Sequence, residues 1–170
     1  MKNDQSKCVL CGWTDAAGIE QGRSRVWFGP DLCGVCAAQM RGLSLWQPWA
    51  GLIAVGEKTI ETRFHKTNYR GRLLICSAQK FDDQWRRAAH RPNAKIDHPS
   101  GHCHIVGHAL AIAELTDCWK MRPGDQDGSM VKFHCDRWCW ELDDVRPIVP
   151  FAVTGRQGLF GVNESILRKE

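Results

Sequence analysis

The chain has 170 residues, of which 43% are hydrophobic and 25% are charged, and its formal net charge is +4. This length fits one ordinary domain with a small added module, and this composition excludes a wholly disordered chain. The isoelectric point of about 8.6 permits contact with phosphate groups. It is lower than the value above about 9 that is typical of a dedicated nucleic-acid-binding domain.

The polar start of the chain, residues 1–7, lacks the apolar stretch that a signal peptide requires. No apolar run in the sequence reaches the ~18 residues that are needed to span a bilayer. The nine cysteines are an odd number, and four of them have metal-ligand spacing, unlike the disulfide framework of a secreted protein. We therefore expect an intracellular protein of the reducing cytoplasm with no membrane partner.

Two Cys-x-x-Cys pairs dominate the first 41 residues: Cys8 with Cys11, and Cys33 with Cys36. A two-residue spacer lets both thiolates of a pair bind one ion, and four thiolates close the coordination sphere of a structural zinc ion. The competing interpretation is a pair of redox motifs, which is disfavoured because such motifs usually stand alone at a strand–helix junction. We therefore predict that residues 1–41 form a zinc-ribbon or knuckle module with one structural zinc and a short strand at 25–28.

Residues 42–170 are predicted to form a second domain, which begins with a strand at 43–46 and a short apolar helix at 49–55. Pro48 suits the first turn of this helix, because a proline lacks the N–H that would be unsatisfied there. Gly56 suits the C-terminal cap of the helix.

The next predicted strand, residues 58–63, carries Lys58, Glu61 and Arg63. Glu61 and Arg63 are two residues apart and share one face of a strand, and Lys58 can lean over that face from the start of the strand. Three charged side chains so placed are expected to form a cluster in a cleft, where shifted pKa values serve chemistry. The alternative is a solvated edge strand whose charges face water.

The later part of the domain alternates strands, helices and glycine-rich turns. Its predicted elements are a strand at 73–77, a charged helix at 81–91, a strand through 109–115, a loop at 120–131, a strand at 138–142, a turn at 146–150 and a last strand near Val162. This order lacks the regular strand–helix alternation of a parallel sheet, so we expect an α+β domain with a small β-barrel.

A second metal site is a further hypothesis for the segment around residues 98–108, because alternate residues of an extended chain share one face. The side chains concerned are His98, His102, His104 and His108, with Cys103, Cys135 or Cys139 as a further ligand. Histidines on a polar strand face more often bind no metal, so this site is not part of the main prediction.

Several separated blocks of the second domain resemble the ASCH domain, a family of the PUA-like superfamily. The blocks are Leu43-Ser44-Leu45-Trp46-Gln47-Pro48-Trp49-Ala50, the spaced set Gly56-x-Lys58-x-x-Glu61-x-Arg63, and Tyr69-Arg70-Gly71-Arg72-Leu73. Later segments at 105–107, 140–142 and 155–160 also resemble the family, so the resemblance covers about residues 42–163. The sequence looks like coactivator-type and small phage or bacterial ASCH proteins.

This resemblance implies a PUA-like β-barrel with flanking helices, and a cleft between the segment 58–63 and the turn at 155–160. It also implies that the cleft binds nucleic acid, as RNA, single-stranded DNA or a modified base. The expected binding residues are Trp46, Gln47, Pro48, Trp49, Lys58, Glu61, Arg63, Arg70, Arg72, Arg156 and Gln157. Among these, the arginines would contact phosphates or a base edge, and Trp46 or Trp49 would stack on the base.

Hydrolysis of a nucleoside or of RNA is the alternative function, since the resemblance also extends to N4-acylcytidine amidohydrolases and ribonuclease-like relatives. Lys58 and Arg63 match the amidohydrolase pattern, but Glu61 stands where those relatives have a threonine, and their later catalytic glutamate has no counterpart here. In a hydrolase Glu61 would activate water, Lys58 or Arg63 would stabilise an oxyanion, and Ser77 would be a supporting hydroxyl. A third interpretation is a protein-interaction adaptor that uses the zinc module. Binding is the main prediction because the threonine nucleophile is missing.

Overall fold

The computed structural model describes residues 7–14, 27–83, 85–90 and 99–168, which form a two-stranded and a six-stranded sheet with short helices. The strands are β1 (Trp27–Gly29), β2 (Leu32–Cys33), β3 (Arg41–Gln47), β4 (Ile60–Arg63), β5 (Gly71–Phe81), β6 (His108–Lys120), β7 (Trp138–Ala152) and β8 (Leu159–Gly161). The α-helices are α1 (Gly34–Ala37), α2 (Trp49–Ala54), α3 (Trp85–Ala88) and α4 (Gln126–Ser129). Within these ranges, no helix has both the length and the apolar character that are needed to cross a membrane.

The larger sheet is mixed, with the strand order β4-β7-β6-β5-β3-β8. Its β3 and β5 pair in parallel, and the other neighbours pair antiparallel. The predicted α+β class is confirmed, but the predicted barrel is wrong, because this sheet is not closed. Its two end strands, β4 and β8, have only four and three residues, which leaves little backbone for the continuous pairing that closure requires.

The hydrophobic core lies on both faces of this sheet, as the alternation along β5 shows. Leu73 and Ile75 point to one face and pack with Ala50, Ile53 and other residues of α2 and the neighbouring strands. The helix α2 has the sequence Trp-Ala-Gly-Leu-Ile-Ala, which is apolar all round, and this is typical of a helix that is buried on every side.

The opposite face of the sheet, which carries Leu74 and Cys76, is covered by the segment that contains the two Cys-x-x-Cys pairs. Phe28, Leu32 and Met40 of that segment are buried in the same cluster as Leu74 and Cys76. The described parts of the segments 1–41 and 42–170 therefore share one hydrophobic core. Their division into two domains stays a prediction.

The predicted turn at residues 146–150 is wrong, because these residues lie inside the 15-residue strand β7. Pairing between β7 and β4 ends at Glu141, so among the described residues no strand pairs with the later half of β7 on that side. Pro147 and Pro150 are tolerated there because a proline cannot donate to a strand ladder. The register between β6 and β7 also shifts at three places, which bends the strand.

Two other segments differ from the sequence-based expectation. His102–His104 is a 3-10 turn, so the histidines do not share one face of an extended chain. The strand β5 continues to Phe81, and the helix predicted at 81–91 is reduced to α3, with residue 91 outside the described ranges. The predicted strand at 25–28 is found in part as β1 (Trp27–Gly29), and residues 25 and 26 lie outside the described ranges.

Replacing Gly51 by alanine is expected to destabilise the fold. A Cβ atom at Gly51 would overlap the backbone of Cys103, so that backbone would have to shift. Overpacking of this kind costs about 1–3 kcal/mol. Urea unfolding of Gly51→Ala should show this loss of stability beside Gly124→Ala, since a Cβ at Gly124 meets nothing within 4 Å. Equal unfolding midpoints for the two variants would contradict the close packing of α2.

Candidate functional site: a basic and aromatic cleft

A cleft of about 800 Å³ lies beside β4, at the ends of β3 and β5, and is bordered by the segment that follows β7. Its cationic lining residues are Arg63, Arg137, Arg156 and Arg168, and its aromatic ones include Trp46, Trp49, Phe64 and His65. Among the described residues that line it, Glu61 is the one carboxylate. The cleft is therefore electropositive, with a single acidic group in its wall.

Glu61 is held in the wall of the cleft by two cations. Its Oε2 lies 3.5 Å from Nζ of Lys58, and its Oε1 lies 3.9 Å from the guanidinium of Arg63. The Glu61 side chain is 8% exposed, so the charged cluster is not the solvated edge strand that the sequence also permitted. Lys58 and Arg63 fix the orientation of the Glu61 carboxylate, and its unused oxygen lone pairs can accept hydrogen bonds in the cleft.

Lys58 lies behind this wall and does not line the cleft. Its ammonium donates to the backbone carbonyls of Ile60 and Ser129, both at 2.6 Å, and faces Glu61 as its third partner. Burial lowers the pKa of Lys58, and the neighbouring carboxylate of Glu61 opposes that shift. With its three donor positions directed at these groups, Lys58 positions Glu61 and is not presented to a ligand.

Two exposed aromatic rings, each with a cation beside it, form the rims of the cleft. Trp46 is 48% exposed and Phe64 is 66% exposed. Nζ of Lys80 lies 4.2 Å from the centroid of the Trp46 ring, and the guanidinium carbon of Arg137 lies 4.7 Å from that of Phe64. Each pair combines a flat apolar surface with a positive charge, which suits a flat anionic ligand.

Two buried polar atoms of the lining have no hydrogen-bond partner in the described part of the chain. They are Oγ of Ser44 and Nε of Arg63. Ser44 lies tightly against Gly155, where an added Cβ would overlap its hydroxyl. A buried polar atom without a partner costs about 1–3 kcal/mol, and both of these atoms are closed off from solvent in this structure.

The structure brings together seven of the residues that the sequence singled out for the site. They are Trp46, Trp49, Glu61, Arg63, Ser77, Arg156 and Gln157, and all line the cleft. Ser77 is engaged with the backbone of His108, donating to its carbonyl at 3.2 Å and accepting from its N–H at 3.1 Å. Ser77 therefore links β5 to β6 through these two hydrogen bonds.

The other singled-out residues, Gln47, Pro48, Lys58, Arg70 and Arg72, lie outside the lining of the cleft. Gln47 is fully buried, where its amide donates to the carbonyls of His102 and Ile105 and accepts from the N–H of Gly51. Arg70 is paired with Asp117 at 2.9 Å on the surface. The N–H of Cys118, together with this arginine, lowers the pKa of Asp117.

Sequence reasoning did not single out several residues that line the cleft, among them Ser44, Phe64, Arg137 and Arg168. Phe64 directly follows Arg63, the last residue of the predicted charged strand. Its place in the sequence could therefore have indicated that it lies at the cleft. Arg137 reaches the cleft because the next residue, Trp138, pairs with Arg63 of β4. The sequence does not specify this strand pairing. Arg168 lies against the side-chain amide of Gln79, and the Gln79 oxygen accepts from it when the amide orientation is assigned from this contact.

A second cluster of potential function lies on the opposite side of the sheet, where Cys8, Cys11, Cys33 and Cys36 come together. Their four sulfur atoms all lie within 4.8 Å of one another, and Sγ of Cys11 is 3.8 Å from Sγ of Cys33. Two thiolates that each lie about 2.3 Å from a tetrahedral ion are ~3.8 Å apart. The spacing of the group is therefore compatible with zinc.

The hypothetical histidine site is not assembled in the described ranges. His102, His104 and His108 do not form a group of metal-ligand geometry with Cys103, Cys135 or Cys139, and His98 lies outside those ranges. Another trio, His134, Cys135 and Asp136, is close together, but all three side chains are exposed.

The sequence matches the family model of the ASCH domain over residues 43–150. This match covers more than half of the chain, and the protein therefore belongs to the ASCH domain family.

Solved structures of ASCH from Zymomonas mobilis are similar to this fold. One is 16% identical with a TM-score of 0.49, over 75% of this chain and 90% of that chain. Two single-residue variants of it are 15% and 14% identical, with TM-scores of 0.49 and 0.47, over 76% and 75% of this chain and 92% of each of theirs. No curated protein matches the sequence.

Replacing Lys58 by methionine is expected to destabilise the protein by about 3–5 kcal/mol, because the buried carboxylate of Glu61 loses its partner. The double variant Lys58→Met/Glu61→Gln should recover part of the loss, since it removes the uncompensated charge. Urea unfolding at pH 7 measures both, with the exposed Lys132→Met as a control near zero. If Lys58→Met costs no more than Lys132→Met, the buried ion pair is not part of the stable fold.

Proposed function

We propose that the cleft binds single-stranded nucleic acid, RNA or DNA, by taking in one base and contacting the flanking phosphates. One observation carries this proposal: four arginines surround a single cleft whose two rims are exposed aromatic rings. Single-stranded nucleic acids are bound by this combination of positive charge and stacking surface.

The charge of the cleft supports an anionic ligand. Arg156 is exposed at the cleft, and within the described residues its guanidinium has one hydrogen bond, in which it donates to Oγ of Ser165 at 3.2 Å. It can therefore turn to a phosphate at little cost. Arg137 is already stacked on Phe64, so a base placed on this rim would meet the cation and the ring together.

The interior of the cleft supports a base and not only a phosphate chain. Ser44 and Arg63 line the cleft, and each has a buried donor atom that lacks a partner in the described ranges and would need a small local shift to reach a ligand. Glu61 supplies an acceptor next to Arg63. The edge of a nucleobase carries donors and acceptors side by side, which matches this arrangement. Domains of the ASCH family are usually RNA-binding or hydrolase-like, which agrees with a ligand of this class.

Hydrolysis of a nucleoside or of RNA is a second candidate, and the position of Glu61 favours it. Its carboxylate reaches the cleft while Lys58 and Arg63 hold it in place, as a general base that activates water would require. In this case Arg63 would stabilise the developing oxyanion, and Lys58 would act through Glu61 as a positioning residue.

Arg156→Ala and Trp46→Ala are expected to weaken the binding of short labelled RNA and DNA oligonucleotides, measured by fluorescence anisotropy over a range of salt concentrations. Loss of one phosphate contact should reduce the slope of log K against log salt by about 0.7. Loss of a stacking ring should cost about 1–3 kcal/mol at every salt concentration. Arg41→Ala is the matched control, because Arg41 is exposed but does not line the cleft.

The proposal is contradicted if none of the oligonucleotides binds to the unmodified protein or to the Arg41→Ala control. The same oligonucleotides and a panel of nucleosides, including N4-acylcytidines, are analysed for product in parallel. Product that is lost in Glu61→Gln, with binding retained, would establish the hydrolase instead.

For the second cluster, we propose that Cys8, Cys11, Cys33 and Cys36 hold one structural zinc ion. The sulfur spacing fits a tetrahedral site, and four thiolates leave no open position for catalysis. Cys8, Cys33 and Cys36 are buried against the sheet, so the ion would fasten this segment to the shared core. Thiolates remain available to zinc in a reducing compartment, which fits the predicted cytoplasmic location.

Metal analysis of purified protein should give about one zinc per chain. Cys33→Ser is expected to lose the metal and to lower the melting temperature, because Cys33 is both a ligand and a core residue. Cys76→Ser is the control for metal content, since this cysteine is buried in the same core cluster as Cys33 and lies outside the group. A metal content that is unchanged in Cys33→Ser would rule out the site.

A further inference from the structure

A second basic and aromatic surface continues from the cleft onto three neighbouring strand ends. Arg137 lines the cleft, and the next residue, Trp138, begins β7. Trp138 pairs with Arg63, the last residue of β4, on one side and with Lys120, the last residue of β6, on the other. These strand ends therefore place cationic and aromatic residues in one row that begins inside the cleft.

Two lysines share the indole ring of Trp138. Nζ of Lys66 lies 5.8 Å and Nζ of Lys120 lies 5.0 Å from the ring centroid, and both side chains are exposed. Within the described ranges neither lysine forms an ion pair with a carboxylate. The two exposed ammonium groups and the indole ring therefore form a positive and aromatic surface, on which a phosphate group would meet favourable charge.

Phe64 lines the cleft and precedes Lys66 by two residues in the chain. The guanidinium of Arg137 lies against its ring, and the ring of His134 approaches it at 6.0 Å in an edge-on arrangement. Two-thirds of the Phe64 surface remains exposed, since its relative exposure is 66%. An exposed ring of this kind is a stacking surface for a base that has left a duplex or was never in one.

We propose that Phe64, Lys66, Lys120, Arg137 and Trp138 form a second nucleotide subsite, which binds the nucleotide next to the one in the cleft. The base of that nucleotide stacks on Phe64, and its phosphate lies at Lys66 and Lys120. This inference rests on the proposed function, and it adds that the protein selects single strands of several nucleotides over free mononucleotides.

The test uses the full chain and a fluorescein-labelled oligouridylate or oligothymidylate dodecamer. Unlabelled mononucleotide and octanucleotide of the same base serve as competitors. Lys66→Ala/Lys120→Ala should weaken octanucleotide binding about tenfold at low salt and reduce the salt slope by about 0.7 for each lost contact. Its mononucleotide binding should change less than about twofold, because the cleft is intact.

Phe64→Ala should weaken octanucleotide binding about fivefold or more, with little change in the salt slope. Lys7→Ala/Arg41→Ala is the matched control, since it also removes two exposed cations, and neither lies in the cleft or in the subsite. Its octanucleotide affinity should stay within about threefold of that of the unmodified protein.

The outcomes separate this inference from the proposed function. If no oligonucleotide binds the unmodified protein, the proposed function fails and the subsite fails with it. If Arg156→Ala weakens every ligand while the double lysine variant behaves like its control, the cleft function stands and the subsite is overturned. If polyglutamate competes as well as the octanucleotide and Phe64→Ala changes neither, the surface binds acidic polypeptide, and the subsite is again overturned.

Discussion

The buried ammonium group of Lys58 is the constraint on which the candidate site depends. Removing a charge from water costs several kcal/mol, so the group is stable only where every donor has a partner. Its partners come from three places: the carbonyl of Ile60 on β4, the carbonyl of Ser129 on α4 and the carboxylate of Glu61. The backbone N–H of Lys58 adds a bond to Leu52 of α2. Lys58 thus connects α2, β4 and α4 behind one wall of the cleft.

This arrangement explains how an electropositive cleft can keep one acidic group. Without a buried cation behind it, the Glu61 carboxylate would be drawn into full ion pairs with the arginines around the cleft, and their charges would be neutralised. Lys58 balances the carboxylate from behind, while Arg63 stays 3.9 Å away and remains 22% exposed. Arg63 therefore keeps part of its surface available to an anionic ligand, and the carboxylate remains available as an acceptor.

Sequence reasoning recovered the local part of this site and missed the part that depends on strand pairing. The two-residue spacing of Glu61 and Arg63 was sufficient to place both side chains on one wall. The burial of Lys58 was not visible, because two of its partners are carbonyls, which every residue carries. Arg137 joins the cleft only because Arg63 pairs with Trp138, and the sequence does not state that register. The prediction of a β-barrel was wrong for a related reason, because the closure of a sheet depends on the lengths and the neighbours of its end strands.

The two candidate sites are connected through the end of β7. Val153, which directly follows that strand, is fully buried in the core that the cysteine segment completes, and it also lines the cleft. Its N–H donates to the carbonyl of Gly107, which fixes the floor of the cleft to the start of β6. Phe151 on the same strand packs edge-on against Phe28 of β1 and tightly against Gly29. The segment that contains the two Cys-x-x-Cys pairs therefore helps to position this part of the cleft. If that segment lost its order, the cleft would change through Phe151 and Val153, although the segment itself does not contact the ligand.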